Sequence, residues 1–202
     1  MIDYPRKNGY SIGVMANSNI TKKALADTLM KLGTTKDLNK ITVSDIVEEC
    51  GVNRQTFYYH FADKYELLKY IYETELFDPL MEDLSFENWE PKMIEALKVI
   101  KRMRDFFMNT VASSPNFFQG YMQKTLFGVF CAAVDDLDTY NQVSNETKEL
   151  YARFLTYGTS GVILNWIMDG AKQKEEELVQ ELKGMFLKTE EIQITKILNQ
   201  TK

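Results

Sequence analysis

The chain has few of the residues that staple a fold, ligate a metal or break a helix. Among 202 residues there is one histidine, His60, two cysteines, Cys50 and Cys131, four prolines and ten glycines. Two distant cysteines make no disulfide framework, and neither belongs to a C-x-x-C pair. A single histidine gives no pair for zinc, no glycine-rich phosphate loop occurs, and no Ser or Cys has histidine support other than His60. No catalytic site, metal or cofactor is therefore expected. The longest apolar runs, VFCAAV and SGVILNWIM, fall short of the roughly 20 residues that cross a bilayer. The N-terminus lacks the charged-then-apolar layout of an export signal. A cytoplasmic chain without membrane association is the expectation, long enough for one large domain or two small ones.

The formal charge of −5 is unevenly spread. Residues 1–72 hold ten Lys or Arg against eight Asp or Glu, net +2, whereas residues 73–202 hold fourteen against twenty-one, net −7. The N-terminal third is where a polyanion is tolerated.

Sparse Pro and Gly and the lack of β alternation give an all-α expectation. Residues 1–17 mix Pro, Gly, Asn and basic residues without an apolar period and read as a flexible arm, with Met1 and Met15 both possible starts. A first helix is predicted over about Ser18–Leu32, with Ile20, Ala24, Leu25, Leu29 and Leu32 on one face and Gly33 as C-cap. Thr42 and Asp45 have capping-box spacing ahead of a second helix that Gly51 ends. Asn53 is a natural N-cap for a third, and a fourth runs from about Asp63 toward Pro79. Later helices are predicted to begin near Pro91, Pro115, Asn145 and Glu175. Small residues Gly158, Thr159, Ser160 and Gly161 leave room for another helix. The last segment carries an apolar stripe, Leu178, Leu182, Met185, Phe186 and Ile192, that requires a partner surface. The run Glu175 to Glu177 suits a helix N-terminus. The aromatics after Leu76, Trp89 and Trp166 among them, are mostly core, and some can line a cavity between helices.

The stretch VNRQTFYYHFADKYELL, residues 52–68, interleaves aromatics with Arg54, Gln55 and His60. Two short helices joined at CGVN explain the mixture as a helix-turn-helix, whose second helix offers its N-terminal residues to the major groove. Val52, Phe57 and Phe61 then pack inward against Ile46. Arg54 matches guanine O6 and N7, and Gln55 matches adenine N6 and N7. Tyr58, Tyr59 and His60 flank the groove, where a hydroxyl or imidazole N–H meets phosphate. Lys64 adds a cation at the rim, and Thr42 sits at a helix N-terminus that favours phosphate. The rival readings are packing for Tyr58 and Tyr59, a structural role for His60, a cap for Asn53 and a solvated helix position for Ser44.

ITVSDIV and GVNRQTFYYHFADKYELL, within residues 20–68, resemble the DNA-binding region of TetR-type transcriptional regulators. Phe57 replaces the usual Leu, and Val47 and Cys50 stand where small alanines are common. The resemblance implies an N-terminal three-helix helix-turn-helix domain at 18–72 joined to a C-terminal helical domain at 73–202 for effector binding and dimerisation. It implies base contacts from Arg54 and Gln55 and phosphate contacts from Thr42, Ser44, Thr56, Tyr58, His60 and Lys64. It further implies a ligand-responsive repressor that binds a palindromic double-stranded DNA operator as a homodimer, through helices around 146–170 and 175–198. RQTFY together with YGTSGVILNWIMDG is similar to the subgroup containing regulators of dihydroxyacetone kinase operons. That likeness implies the alternative of a co-activator working through a partner protein, with no small-molecule ligand of its own.

Overall fold

The computed structural model describes residues 10–85, 87–138 and 142–186, with side chains from residue 18 onward. Described residues form helices and turns, with no strand among them. The helices are α1 (Tyr10–Gly33), α2 (Val43–Cys50), α3 (Arg54–His60), α4 (Lys64–Tyr72), α5 (Asp78–Met81), α6 (Trp89–Arg102), α7 (Arg104–Ser113), α8 (Pro115–Leu137) and α9 (Asn145–Met168). A further helix, α10, covers 175–186.

α1 begins at Tyr10, inside the segment read as an arm. Once nucleated, a helix extends one residue at a time at little cost, and no proline lies between Pro5 and Ile20 to stop it. Residues 1–9 of the expected arm lie outside the described residues. The inner face of α1 also needs correction. Leu25, Ala26 and Leu29 are buried, whereas Ile20 is 66 % exposed. Nine residues separate Ile20 from Leu29, about two and a half turns at 3.6 residues per turn, so the two point to opposite sides. Gly33 is the last residue of α1 rather than a left-handed cap. A Cβ there would stand 2.7 Å from Cδ2 of buried Phe106, so its role is close approach of α1 to α7.

The fourth helix does run from Asp63 toward Pro79, but Glu73–Phe77 between α4 and α5 is a π-helical segment. Pro79 in the first turn of α5 has no N–H to donate, and the preceding turn widens so that Asp78 N–H bonds the Glu73 carbonyl five residues back. The helix expected from Pro91 begins at Trp89 and breaks at Met103, giving the separate α7. Pro115 and Asn145 open α8 and α9 as the sequence predicts.

The core is one connected cluster running from Leu25 and Phe57 in the N-terminal helices to Leu178 and Val179 in α10. At its centre Tyr72, Phe106, Phe107 and Phe118 are fully buried. Tyr72 stacks on Phe107 and meets Phe118 edge-on, and its hydroxyl donates to Thr110 Oγ1 at 2.9 Å. Burial drives the Tyr72 phenol far above its ordinary pKa, so it remains a neutral donor. The bundle's centre is thus filled by aromatic rings.

α10 folds back on its own chain. Leu178 and Leu182 are buried, Phe186 meets Trp89 and Phe130, Lys101 pairs with Glu175, and Lys183 pairs with Glu90. The apolar stripe of the last segment therefore finds its partner surface inside the chain over residues 175–186, while Met185 is exposed. Ile192 and the rest of the predicted 175–198 helix lie outside the described residues.

Candidate nucleic-acid interface

Thr42 makes the predicted capping box with Asp45. Its hydroxyl accepts from the Asp45 N–H at 3.1 Å and donates to the Asp45 carboxylate at 2.5 Å, and that carboxylate accepts from the Thr42 N–H at 2.7 Å. These bonds hold the Asp45 carboxyl below its usual range. Gly51, left-handed at φ 72°, ends α2. Asn53 then caps α3, accepting from the Thr56 N–H at 2.7 Å and the Thr56 hydroxyl at 3.0 Å. The turn between α2 and α3 is set by local chemistry legible in CGVN.

Phe57 and Phe61 are buried, as is Ile46 behind them, and Val52 is half-buried against the same core. Arg54 and Gln55 project outward and are exposed. Tyr59 is 77 % exposed, whereas Tyr58 is about half exposed with its ring edge-on to buried Phe57. His60 is half-buried and meets the Tyr59 ring edge-on. Partial burial, and then the nearby Lys22 ammonium, lower the His60 pKa, so the imidazole is neutral at neutral pH.

Arg54 is held rather than loose. Its Nη1 donates to Ser44 Oγ at 3.1 Å and its Nη2 to the Tyr58 hydroxyl at 3.1 Å, with Cζ 5.8 Å from the Tyr58 ring centre. Arg54, Ser44 and Tyr58 thus form one exposed group bridging α2 and α3.

Lys64 is placed differently from the others. Its ammonium donates to the carbonyls of Leu38 and Ile41, both at 2.7 Å, and of Asn39 at 3.4 Å. An ammonium has three donors, and all three are engaged on the short 3₁₀ turn Leu38–Lys40 and its C-cap Ile41. Burial lowers its pKa, opposed by Asp37, Asp45 and Asp63.

Sequence reasoning missed two features. Lys22 on α1 lies 6.0 Å from the Phe61 ring centre and 5.8 Å from that of Tyr70, beside the helix-turn-helix. The end of α7 also grips the loop before α2: Ser113 Oγ accepts from the Leu38 N–H at 3.2 Å and lies 2.7 Å from Asp37 Oδ1, and Asn109 donates to the carbonyls of Gly33 and Thr34. No short-range pattern links residues more than 70 positions apart.

Open clefts lie between the helices. One of about 450 Å³ lies between α1 and the α6–α7 junction, lined by Asp27, Lys31, Glu75, Arg102 and Phe106 among others. The second, about 320 Å³, lies between α8 and α9 beside Lys124, Phe127, Arg153 and Tyr157. Among the described residues no group of His, Cys, Asp or Glu could hold a metal ion, and no described helix is long and apolar enough to cross a membrane.

Comparison with known proteins agrees with this geometry. Residues 25–71 match the family described as bacterial regulatory proteins, tetR family, and residues 87–188 match a transcriptional regulator C-terminal region of TetR type. The HTH-type dhaKLM operon transcriptional activator DhaS of Lactococcus lactis is 27 % identical over 103 residues, covering 51 % of this chain and 55 % of that protein. The HTH-type transcriptional regulator EthR of Mycolicibacterium smegmatis is 32 % identical over 95 residues, covering 46 % and 42 %. The chain therefore aligns with about half the length of these curated relatives. Among solved structures, a dihydroxyacetone kinase operon activator DhaS superposes with a TM-score of 0.67 at 22 % identity, over 86 % of this chain and 97 % of that one. A TetR transcriptional regulator from Streptococcus agalactiae gives 0.59 at 20 %, over 89 % and 98 %. These likenesses show the fold: an N-terminal helix-turn-helix joined to a C-terminal helical bundle.

Proposed function

The chain belongs to the TetR family of bacterial transcriptional regulators, and from that premise we propose that it is a cytoplasmic, sequence-specific DNA-binding protein acting on a palindromic operator. The observation that carries the reading is the division of α3: Arg54 and Gln55 exposed on its first turn, Phe57 buried behind them. Each α3 enters a major groove, with Arg54 on guanine and Gln55 on adenine. Ser44, Tyr58, Tyr59 and His60 face the flanking phosphates, with Thr42 and Thr56 at the helix N-termini that receive them. Lys64 reaches phosphate only by giving up its carbonyl bonds, so its first role is to fix the turn ahead of Thr42.

Dimerisation is assigned to α9. Leu150, Phe154, Tyr157 and Val162 are exposed along it, Phe154 at 67 %. Cβ atoms built on Gly158 and Gly161 would meet nothing within 4 Å, while Thr159 and Ser160 are buried inside the chain. A second copy covering this face sets the two α3 helices about 34–36 Å apart, or a multiple of it. Phe154→Asp places a charge in that contact, and sedimentation should then report a monomer. A dimer that persists would move the interface elsewhere.

Two modes of control fit the family. A small molecule acting as inducer of a repressor must bind one dimer spacing better than the other. The alternative, activation through a partner protein without a small-molecule ligand, is supported by the aromatic filling around Tyr72 and by the relative named as an operon activator. Selection of bound sequences from a random DNA pool tests the reading. A two-fold symmetric consensus is expected, and recovery of no consensus would overturn it.

A further inference from the structure

We propose that Ser44 and Tyr58 are specificity-determining residues that act through Arg54, holding its guanidinium in the pose that reads a base pair before DNA arrives. The inference rests on the assignment of Arg54 as a base reader. Ser44 lies on α2 and Tyr58 one turn beyond Arg54 on α3, so the guanidinium is gripped from both arms of the helix-turn-helix at 3.1 Å each. The Tyr58 ring meets the buried Phe57 ring edge-on at 5.5 Å and has Arg54 Cζ 5.8 Å from its centre, so it is supported on both sides.

A guanidinium carries five donors. Ser44 takes one from Nη1 and Tyr58 one from Nη2, so each terminal nitrogen keeps a second N–H, the number needed for the two acceptors on a guanine edge. The chemistry also separates two roles of the same hydroxyls. Both accept from Arg54, and each therefore keeps its own proton, which can be donated to a phosphate oxygen. Phosphate donation strengthens binding to every sequence alike, whereas positioning Arg54 strengthens binding only where its base pair is correct. Ordering a long side chain opposes complex formation, and the clamp removes that cost from the recognition step.

The test uses the full chain and duplexes chosen from the random-pool selection, with every base pair of one half-site substituted in turn. Arg54→Ala first identifies the base pair whose discrimination depends on Arg54. Tyr58→Phe and Ser44→Ala are then expected to lower discrimination at that pair by about three- to tenfold, as expected for losing the ordering of one long side chain, with other positions unaffected. In the Arg54→Ala background the same changes should have no further effect at that pair. Both side chains are exposed, and unchanged thermal unfolding confirms that the fold persists. If Tyr58→Phe and Ser44→Ala weaken all duplexes equally, or change nothing, while Arg54→Ala relaxes one pair, the clamp is not a positioning device. If Arg54→Ala relaxes no pair, the base-reading assignment fails and takes the clamp with it.

Discussion

Ser113, the last residue of α7, lies with its hydroxyl 2.7 Å from Oδ1 of Asp37 in the loop that precedes α2. The bond holds the Asp37 carboxyl below its ordinary pKa. The same hydroxyl accepts the Leu38 N–H, and Leu38's carbonyl in turn accepts from Lys64. A polar chain thus runs from α7 through one short loop to the root of the helix-turn-helix. Ser113→Ala leaves the part-buried Leu38 N–H without its acceptor, at a cost of about 1–2 kcal/mol. Faster hydrogen exchange at the Leu38 amide is expected, with α9 amides unaffected. Unchanged exchange there would mean that the contact contributes nothing to the loop.

Gly33 and Phe106 set a steric limit on the same junction. A methyl group at position 33 would overlap the Phe106 ring, and that ring is fully buried among Tyr72 and Phe107. Gly33→Ala should destabilise the chain by about 1–3 kcal/mol, the range for overpacking a filled site, even though Ala favours the helix. Chemical unfolding measures it, and a stabilised variant would show that Phe106 moves aside freely.

Lys64→Met keeps the side chain as far as Cε and removes the Nζ bonds to three carbonyls. Stability should fall by about 1–3 kcal/mol, with the slope of DNA affinity against salt unchanged. A slope reduced by about one at unchanged stability would instead place the ammonium on phosphate in the complex.

His60 gives a pH dependence of definite sign. Its pKa is lowered by folding, so the unfolded chain binds the proton more readily and stability declines as pH falls through the unfolded value near 6.5. Thermal unfolding at pH 7.5 and 5.5 should show this decline reduced in His60→Gln. DNA affinity should move oppositely, because phosphate favours the protonated ring. A wild-type affinity that weakens between pH 7.5 and 5.5 would separate His60 from the DNA backbone.

The helix-turn-helix was legible because local chemistry builds it. Thr42 and Asp45, Gly51, and Asn53 each act within a few residues, and the inward pattern of Ile46, Phe57 and Phe61 follows helical spacing. Features created by distant contacts were not legible. Gly33 reads as a cap until Phe106 is found against it, and Lys64 reads as a surface cation until the Leu38 and Ile41 carbonyls are found above it. Ile20 is a different case, since its nine-residue spacing from Leu29, visible in the sequence, already turns it outward. The π-helical turn at Glu73–Phe77 could be traced to Pro79, but a proline marks only that a hydrogen bond is lost and not how the helix adjusts.

The most direct measurement is a competition between the pool-selected operator and a scrambled duplex of equal length for the full chain at about 150 mM salt. A regulator whose Arg54 and Gln55 reach base edges should prefer the operator by at least about 10³-fold, and Arg54→Ala should reduce that preference while leaving affinity for the scrambled duplex nearly unchanged. Equal affinity for both duplexes would contradict the assignment of α3 as a reader of sequence.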